Sequence, residues 1–314
     1  MTCPVTAIFV TYNSEDTVGQ ALDAARDSYD AGLLEAVVVD NASRDGTCEV
    51  VATGYPWVRL IRSETNLGYA RGLNLGFEGI ESPYVIFMNP DAVLPRNAVE
   101  KLLAFMESNP DAGLAAPATV RENGEYQEVG GLVTPWTFVR NAAGISDGPA
   151  GKRPLLPGAR PTQTDWICGA IMFLRSRAVR ETGGMDPRFF LYFEETDLCV
   201  RLARAGYSIW AVGEAVARHA SGASARKVQP GLKGGGCLHE HFYPSRFYYM
   251  VKHFGWPAAL FAESAEIVLM AARDVARAVV CKTPRHELRA RLSAPVFRMP
   301  PRPEAQQRED LHVR

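Results

Sequence analysis

The chain has 314 residues, enough for one large or two modest domains with a real core. Its 47% hydrophobic and 22% charged residues match a soluble globular protein. A formal charge of −1 argues against a nucleic-acid binder held by phosphate contacts, and gives no overall attraction to an anionic membrane.

The first 120 residues alternate apolar runs with helix-period segments. The continuous β-branched run 5–12, VTAIFVTY, predicts a strand buried on both faces. A helix follows with Ser14 as its N-cap and Val18, Leu22 and Ala25 on its inner face. Residues 35–40, EAVVVD, predict the next strand, and a short helix closes at Gly54. Strand 57–61, helix 69–80, strand 84–88, helix 95–110 and strand 112–119 complete the series. Repeated βα units imply a mostly parallel sheet with helices on both faces, and a ligand beyond the carboxyl ends of its strands. Three predicted strands end in polar residues, Thr11-Tyr12-Asn13, Asp40-Asn41 and Asn89-Pro90-Asp91, which points to one crevice.

The pattern changes after residue 120. The Gly- and Pro-rich residues 121–165 read as a long, mobile loop. WICGAIMFL (166–174) returns to strand, a helix starts at about Glu194, and 207–212 and 215–220 read as two more strands. Residues 240–282 are mainly helical, and the Pro/Arg-rich 283–314 read as frayed. The apolar stretch 257–280 is interrupted by Glu263, Glu266, Arg273, Asp274 and Arg277, so it fails as a membrane span. Six scattered cysteines without a C-x-x-C pair, behind a start unlike a signal peptide, read as reduced thiols of a cytoplasmic protein.

Each polar cluster admits a plain reading beside a chemical one. Asp40 accepts hydrogen bonds from a ribose or base, or caps its turn. Gly68, Gly72 and Gly76, spaced by fours, permit close approach to a strand or to a ligand; neither a dinucleotide fingerprint nor a P-loop is present. Asp91 is a hard oxygen ligand suited to Mg²⁺ or Mn²⁺, or a turn residue. Glu194, Glu195 and Asp197 place three acids in four residues at a helix start, where they suit the dipole and Asp197 can pair with Arg201. Their crowding in an apolar neighbourhood also suits a base that deprotonates a hydroxyl. His219 is a metal ligand or a satisfied polar residue. Cys237, His239 and His241 lie too close in sequence, without a second cluster, for a structural zinc.

The order of IFVTYNSEDTV, VVVDNASRDGT, NLGYARGLN, MNPDA, DWICGAIMFLR, GGMDPRFFLYFEETDLCVRLARAGY and RHASGAS resembles the family 2 inverting glycosyltransferases, closest to their rhamnosyltransferase-like branch, over about residues 5–255. The resemblance implies a GT-A type Rossmann-like α/β fold with a C-terminal helical extension. It divides the chain into a nucleotide-sugar half (1–120), an acceptor half with the base (121–239) and the extension with its tail (240–314). Thr11, Tyr12, Asn13 and Asp40 match the nucleotide-lining positions. Asn66, Gly68 and Asn74 match the segment closing over the donor, and Trp166 and Gly169 match the strand beside the acceptor. Asn89 and Asp91 occupy the outer positions of the D-x-D motif, with Asp91 and His219 at the metal, Mg²⁺ or Mn²⁺. Glu195 falls at the catalytic base. Two departures stand out: Asn89 replaces the first Asp of D-x-D, and Glu195 replaces the usual Asp, so Glu194 or Asp197 can share the base's role.

The implied reaction moves a sugar, rhamnose as the first guess, from a dTDP- or UDP-sugar to a hydroxyl of a glycan or lipid-linked acceptor in cell-surface polysaccharide synthesis, with inversion. The implied setting is the cytoplasm, at the inner face of the cell membrane. Peripheral membrane contact and a homodimer are both left open, and no nucleic-acid partner is expected. An aromatic–basic strip, Arg246, Lys252 and His253 beside Phe242, Tyr243, Phe247 and Tyr248, either meets the membrane or packs on the catalytic domain. The alternatives are a sugar-phosphate nucleotidyltransferase, against which the net-acidic TYNSEDTVG counts, and a silent sugar-nucleotide-binding protein on the same scaffold.

Overall fold

The computed structural model describes residues 3–145, 151–220, 238–281, 291–292 and 297–300. β1 (Val5–Thr11) leads through α1 (Val18–Asp30) to β2 (Leu34–Asp40), and α2 (Thr47–Gly54) leads to β3 (Arg59–Arg62). α3 (Tyr69–Phe77), β4 (Tyr84–Met88), β5 (Ala92–Val93), α4 (Arg96–Ser108) and β6 (Ala112–Arg121) follow. Next come β7 (Glu128–Gly130), α5 (Pro135–Ala143), β8 (Arg153–Pro154), β9 (Thr162–Thr164), β10 (Trp166–Ile167) and β11 (Ile171–Arg175). α6 (Ser176–Glu181), α7 (Glu194–Arg204) and β12 (Ser208–His219) complete the sheet region, and α8 (Tyr243–Phe254) and α9 (Trp256–Cys281) form the extension.

The main sheet runs β3-β2-β1-β4-β11-β6-β12-β5, with β9 beside β12. β3, β2, β1 and β4 are parallel, as are β6 and β12, while β11 is antiparallel to both β4 and β6. Every residue of β1 and β4 is buried because helices cover both faces. Ile8 and Val10 enter one core with Ala70 and Leu73 of α3. Ala7 and Phe9 enter the other with Leu22 of α1 and Leu102 of α4. Burying one such side chain contributes about 1.5–3 kcal/mol, so these central strands dominate stability. The fours-spaced glycines belong to this packing: a Cβ at Gly72 would sit 2.8 Å from Val10 Cγ1.

Several boundaries differ from the sequence expectation. α1 begins at Val18, and Ser14 contributes its carbonyl to Thr17 N–H and Val18 N–H rather than a capping hydroxyl. The expected loop 121–165 contains β7, β8, β9 and α5. Thr134 caps α5 through a reciprocal bond with Thr137, with Pro135 at its first turn. The expected strand 166–174 breaks at Cys168-Gly169-Ala170, and the two expected late strands are the single β12, irregular between Val212 and Val216. Most of the expected frayed tail lies outside the described residues.

A division at residue 120 finds no seam in this sheet, since β11 lies between β4 and β6. A π-helical turn, Leu238–Phe242, leads into α8, and α8 and α9 share a core with Val139 of α5 and Leu198 of α7. The aromatic–basic strip faces inward: Arg246 and His253 are buried, and Lys252 pairs with Asp186 and Asp197 at 2.6 Å each. No helix among the described residues is long and apolar enough to cross a membrane. Cys3, Cys48, Cys168 and Cys199 are free thiols.

Candidate active site

The carboxyl ends of β1, β2 and β4 open onto one cavity of about 810 Å³, lined on this side by Tyr12, Asn41, Asn66, Gly68, Asn89 and Asp91. Glu194 and Glu195 line its far wall from the start of α7, with Trp166, Gly169 and His219 between. Backbone geometry aims α7 at the cavity. Tyr192 and Phe193, immediately before Glu194, both hold left-handed backbones at φ 69° and 67°. Such conformations cost on the order of 1–3 kcal/mol each and persist only under packing constraint. Phe242 packs on both rings, at 5.7 and 5.3 Å, and Tyr249 lies 5.5 Å from Phe193.

The two glutamates differ in environment. Glu194 is buried, and its Oε2 finds no partner among the described residues. Burial, then the Glu195 charge, hold its carboxyl well above the usual range. Glu195 is partly exposed to the cavity. Burial raises its pKa too, but backbone N–H groups, the Thr196 hydroxyl and the Lys152 ammonium pull the other way. Thr196 Oγ donates to Glu195 Oε1 at 3.1 Å and accepts from Trp166 Nε1 at 3.0 Å, which fixes the carboxylate. Gly169 makes room for it, since a Cβ there would stand 3.1 Å from Glu195 Cβ. Of the pair, Glu194 holds a proton more tightly and Glu195 is the group available to accept one.

Asp91 and His219 meet across the β5–β12 corner. His219 Nε2 lies 3.0 Å from Asp91 Oδ1, both side chains are nearly buried, and both line the cavity. Gln127 Nε2 lies 2.7 Å from His219 Nδ1 and holds the ring from behind. With ligand bonds of about 2.1 Å, neighbouring octahedral positions stand about 3 Å apart, so this pair fits Mg²⁺ or Mn²⁺ as two ligands. No third His, Cys, Asp or Glu joins them among the described residues, so further ligands would come from substrate phosphate and water. Cys237 and the His239 side chain lie outside the described residues, while His241 stacks on Phe190 at 4.5 Å in the cavity wall.

A second groove of about 630 Å³ adjoins the first, sharing Tyr12 and Asn66, with Asp40, Ser43, Arg44 and Arg62 in its lining. Asp40 meets its turn-capping reading in full, accepting from Thr11 Oγ at 3.0 Å, Ser43 Oγ at 2.5 Å and Ser43 N–H at 3.0 Å. Asn13 sits behind the groove, its Oδ1 accepting from Arg44 N–H at 2.8 Å.

Three expected site residues are placed elsewhere or act indirectly. Asn74 bonds the backbone N–H and carbonyl of Met185 at 2.8 Å each and does not line the cavity. Thr11 is fully buried behind Asp40. Asp197 points away from the cavity into an ion cluster with Arg201, Lys252 and His253, at 2.7, 2.6 and 2.7 Å. Burial would raise its pKa, but His253, Arg201 and Lys252 together bring it down to about 2. That makes Asp197 an anchor between α7 and α8. Lys152 and Thr196 were missed in the sequence. Lys152 Nζ stands 3.7 Å over the Trp166 ring and faces Glu195, a meeting of distant segments with no local pattern.

Comparison with known proteins decides the family. The family model described as Glycosyl transferase family 2 matches residues 6–181, more than half of the chain. The chain belongs to glycosyl transferase family 2. It is 26% identical over 253 residues to an N-acetylglucosaminyl-diphospho-decaprenol L-rhamnosyltransferase of Mycobacterium tuberculosis, covering 71% of this chain and 76% of that protein. It is 25% identical over 130 residues to Rhamnosyltransferase WbbL of Escherichia coli, covering 40% of this chain and 48% of that one. In fold it is similar to the mannosyltransferase PcManGT of Pyrobaculum calidifontis, solved in complex with GDP-Man and Mn2+. That match has a TM-score of 0.56 at 18% identity, covering 92% of this chain and 78% of that one. The GT-A type α/β fold is therefore confirmed, and the nucleotidyltransferase alternative falls away with the family assignment.

Proposed function

We propose that this glycosyltransferase moves a sugar, rhamnose first among candidates, from a dTDP- or UDP-sugar to a hydroxyl of a lipid-linked glycan, with inversion at the anomeric carbon. One observation carries the reading: Asp91, in the turn between β4 and β5, and Glu195, at the start of α7, line the same cavity. The nucleoside would lie in the groove of Asp40 and Tyr12, where Asp40 retains lone pairs for a base N–H. Asn66 lines both and so lies at the junction with the larger cavity, where the diphosphate would pass, with Gly68 in the wall of the larger cavity. Asp91 and His219 would hold Mg²⁺ or Mn²⁺, which stabilises negative charge on the leaving diphosphate when bound. Glu195 accepts the proton of the acceptor hydroxyl as its oxygen attacks the anomeric carbon, on the face opposite the diphosphate. Unlike glycoside hydrolysis, no acid has to protonate the leaving oxygen. Trp166 and Phe138 offer the acceptor an aromatic wall. Rhamnose and a lipid-linked acceptor rest on the likeness to the mycobacterial rhamnosyltransferase.

A thermal-shift screen of nucleotide sugars with and without Mn²⁺ tests the donor, because a ligand that binds only the folded chain raises its melting temperature. A dTDP- or UDP-sugar should shift it more with metal than without. Equal shifts with and without metal would remove Asp91 and His219 from metal binding. Glu195→Gln should leave that shift intact while lowering turnover by roughly 10²–10⁴-fold; unchanged turnover would move the base elsewhere.

A further inference from the structure

The small sheet β10-β7-β8 brings Lys152 to the candidate base. Its register pairs Glu128 with Pro154 and Val129 with Arg153, so the next residue, Lys152, falls opposite Gly130. Gly130 pairs with Trp166 on its other side. Neighbouring strands stand about 4.8 Å apart, and residues across one such row project to the same face. Glycine puts no side chain between the two, so the lysine stem spans the row. Lys152 Nζ lies 3.7 Å over the centroid of the Trp166 ring, held by the negative face of the indole.

From that ring a series of bonds reaches Glu195. Trp166 Nε1 donates to Thr196 Oγ at 3.0 Å, and Thr196 Oγ donates to Glu195 Oε1 at 3.1 Å. Hydrogen bonds in series polarise one another, so a cation at the head of the series strengthens the last donor. All four residues line the cavity. The ammonium makes no hydrogen bond and no ion pair among the described residues, which leaves the ring as its contact. Tyr69 of α3, Cys168 between β10 and β11, Glu194 and Cys199 of α7 and Tyr249 of α8 also face Glu195. Burial, foremost, raises the pKa of all five and favours their uncharged forms. Lys152 is the cation that offsets burial at Glu195, and it is itself faced by Glu128 of β7 and Arg121 of β6.

We propose that Lys152 is a positioning residue for sugar transfer: seated on the Trp166 ring, it keeps the Glu195 carboxylate anionic and, through Thr196, aimed into the cavity. Two adjacent carboxyls in a buried site do not both ionise freely, and the one that faces a cation gives up its proton first. Lys152 stands on the side of Glu195, so it decides which of the two glutamates is the base and which keeps its proton. This role rests on the reading of Glu195 as the base; the link between the two side chains does not.

The test is an NMR titration of the full chain with its glutamate carboxyls labelled with carbon-13, the Glu195 signal being the one lost in Glu195→Gln. Lys152→Met keeps the stem and removes the charge, whereas Lys152→Arg keeps the charge; unchanged circular dichroism checks both folds. The apparent Glu195 midpoint should rise by about one pH unit or more in Lys152→Met and return toward the wild-type value in Lys152→Arg. Losing the cation favours the protonated acid, so the acidic limb of kcat/KM should move to higher pH with that midpoint. On the limb the methionine variant should be roughly tenfold slower, with the loss recovered as pH rises. Equal midpoints in wild type and Lys152→Met, or an arginine variant that titrates like the methionine one, would overturn the proposal. So would a rate loss equal at every pH, or a loss of acceptor affinity over an unmoved midpoint, since Lys152 would then be a packing residue or an acceptor contact. A midpoint that moves while the rate profile stays put would keep the link and remove Glu195 as the base, so the two failures are told apart.

Discussion

Asp197 shows how a carboxylate beside two cavity-lining glutamates can serve the fold. Its pKa is depressed to about 2, so the stabilisation from its ion pairs is complete above the unfolded pKa near 4 and is lost as pH falls toward 2. A depression of nearly two units corresponds to roughly 2 kcal/mol. Asp197→Asn should therefore destabilise the chain at pH 7 by about 3 kcal/mol, because Arg201 and Lys252 lose their counter-charge. Urea unfolding at pH 7 and pH 3 reads it: the gap between variant and wild type should narrow at the lower pH, and a gap independent of pH would refute the ion-pair origin. Asp91, Glu195 and Asp40 line the two cavities, and that placement was legible because each ends or begins an element in a motif. Of the two readings of Asp197, the pair with Arg201 is the one observed; sequence shows the crowding of three acids but not which way each side chain turns on the helix. Lys152 was invisible for a related reason, since its partners Trp166 and Glu195 come from other segments.

Elements were legible where burial is two-sided. β1, β2 and β4 are continuous apolar runs, and their predicted limits fall within a residue or two of those observed. α5 was lost in a Gly/Pro-rich background, although Thr134-Pro135-Trp136-Thr137 carries a cap and a first-turn proline that announce a helix. β12 read as two strands because Gly213 breaks the run. A side chain there would press on the carbonyls of Leu156 and Ala159, so the glycine serves a close approach within one strand. The start of α3 rests on a similar requirement. Gly68 has φ 79° and ψ 174°, and a Cβ would stand 2.5 Å from the Phe190 carbonyl oxygen, which accepts the N–H of Tyr69 at 2.7 Å. Gly68→Ala should cost more than about 2 kcal/mol in urea unfolding and weaken donor binding. Gly124→Ala is the control: its φ is 82° but nothing stands within 4 Å, so it should cost only about 1 kcal/mol. Equal costs would mean that the Phe190 contact contributes nothing.

At the scale of the molecule, the sequence conveyed a parallel α/β sheet but not its closure, because β11 is antiparallel and sits out of chain order. Pairing partners are decided by which apolar edges remain open, and no local pattern records that. β11 fills a slot between β4 and β6, two strands whose residues are almost entirely buried. A fragment ending at residue 120 would keep both strands and lack what separates them, so it should aggregate where a fragment extended through residue 220 stays monomeric. Light scattering of the two purified fragments checks this, and a monomeric short fragment would show that the halves fold independently. During synthesis the consequence is one of timing. The last residue of β6 leaves the ribosome about fifty residues ahead of Ile171, so the nascent chain carries two unfilled apolar edges until that late strand arrives to close them.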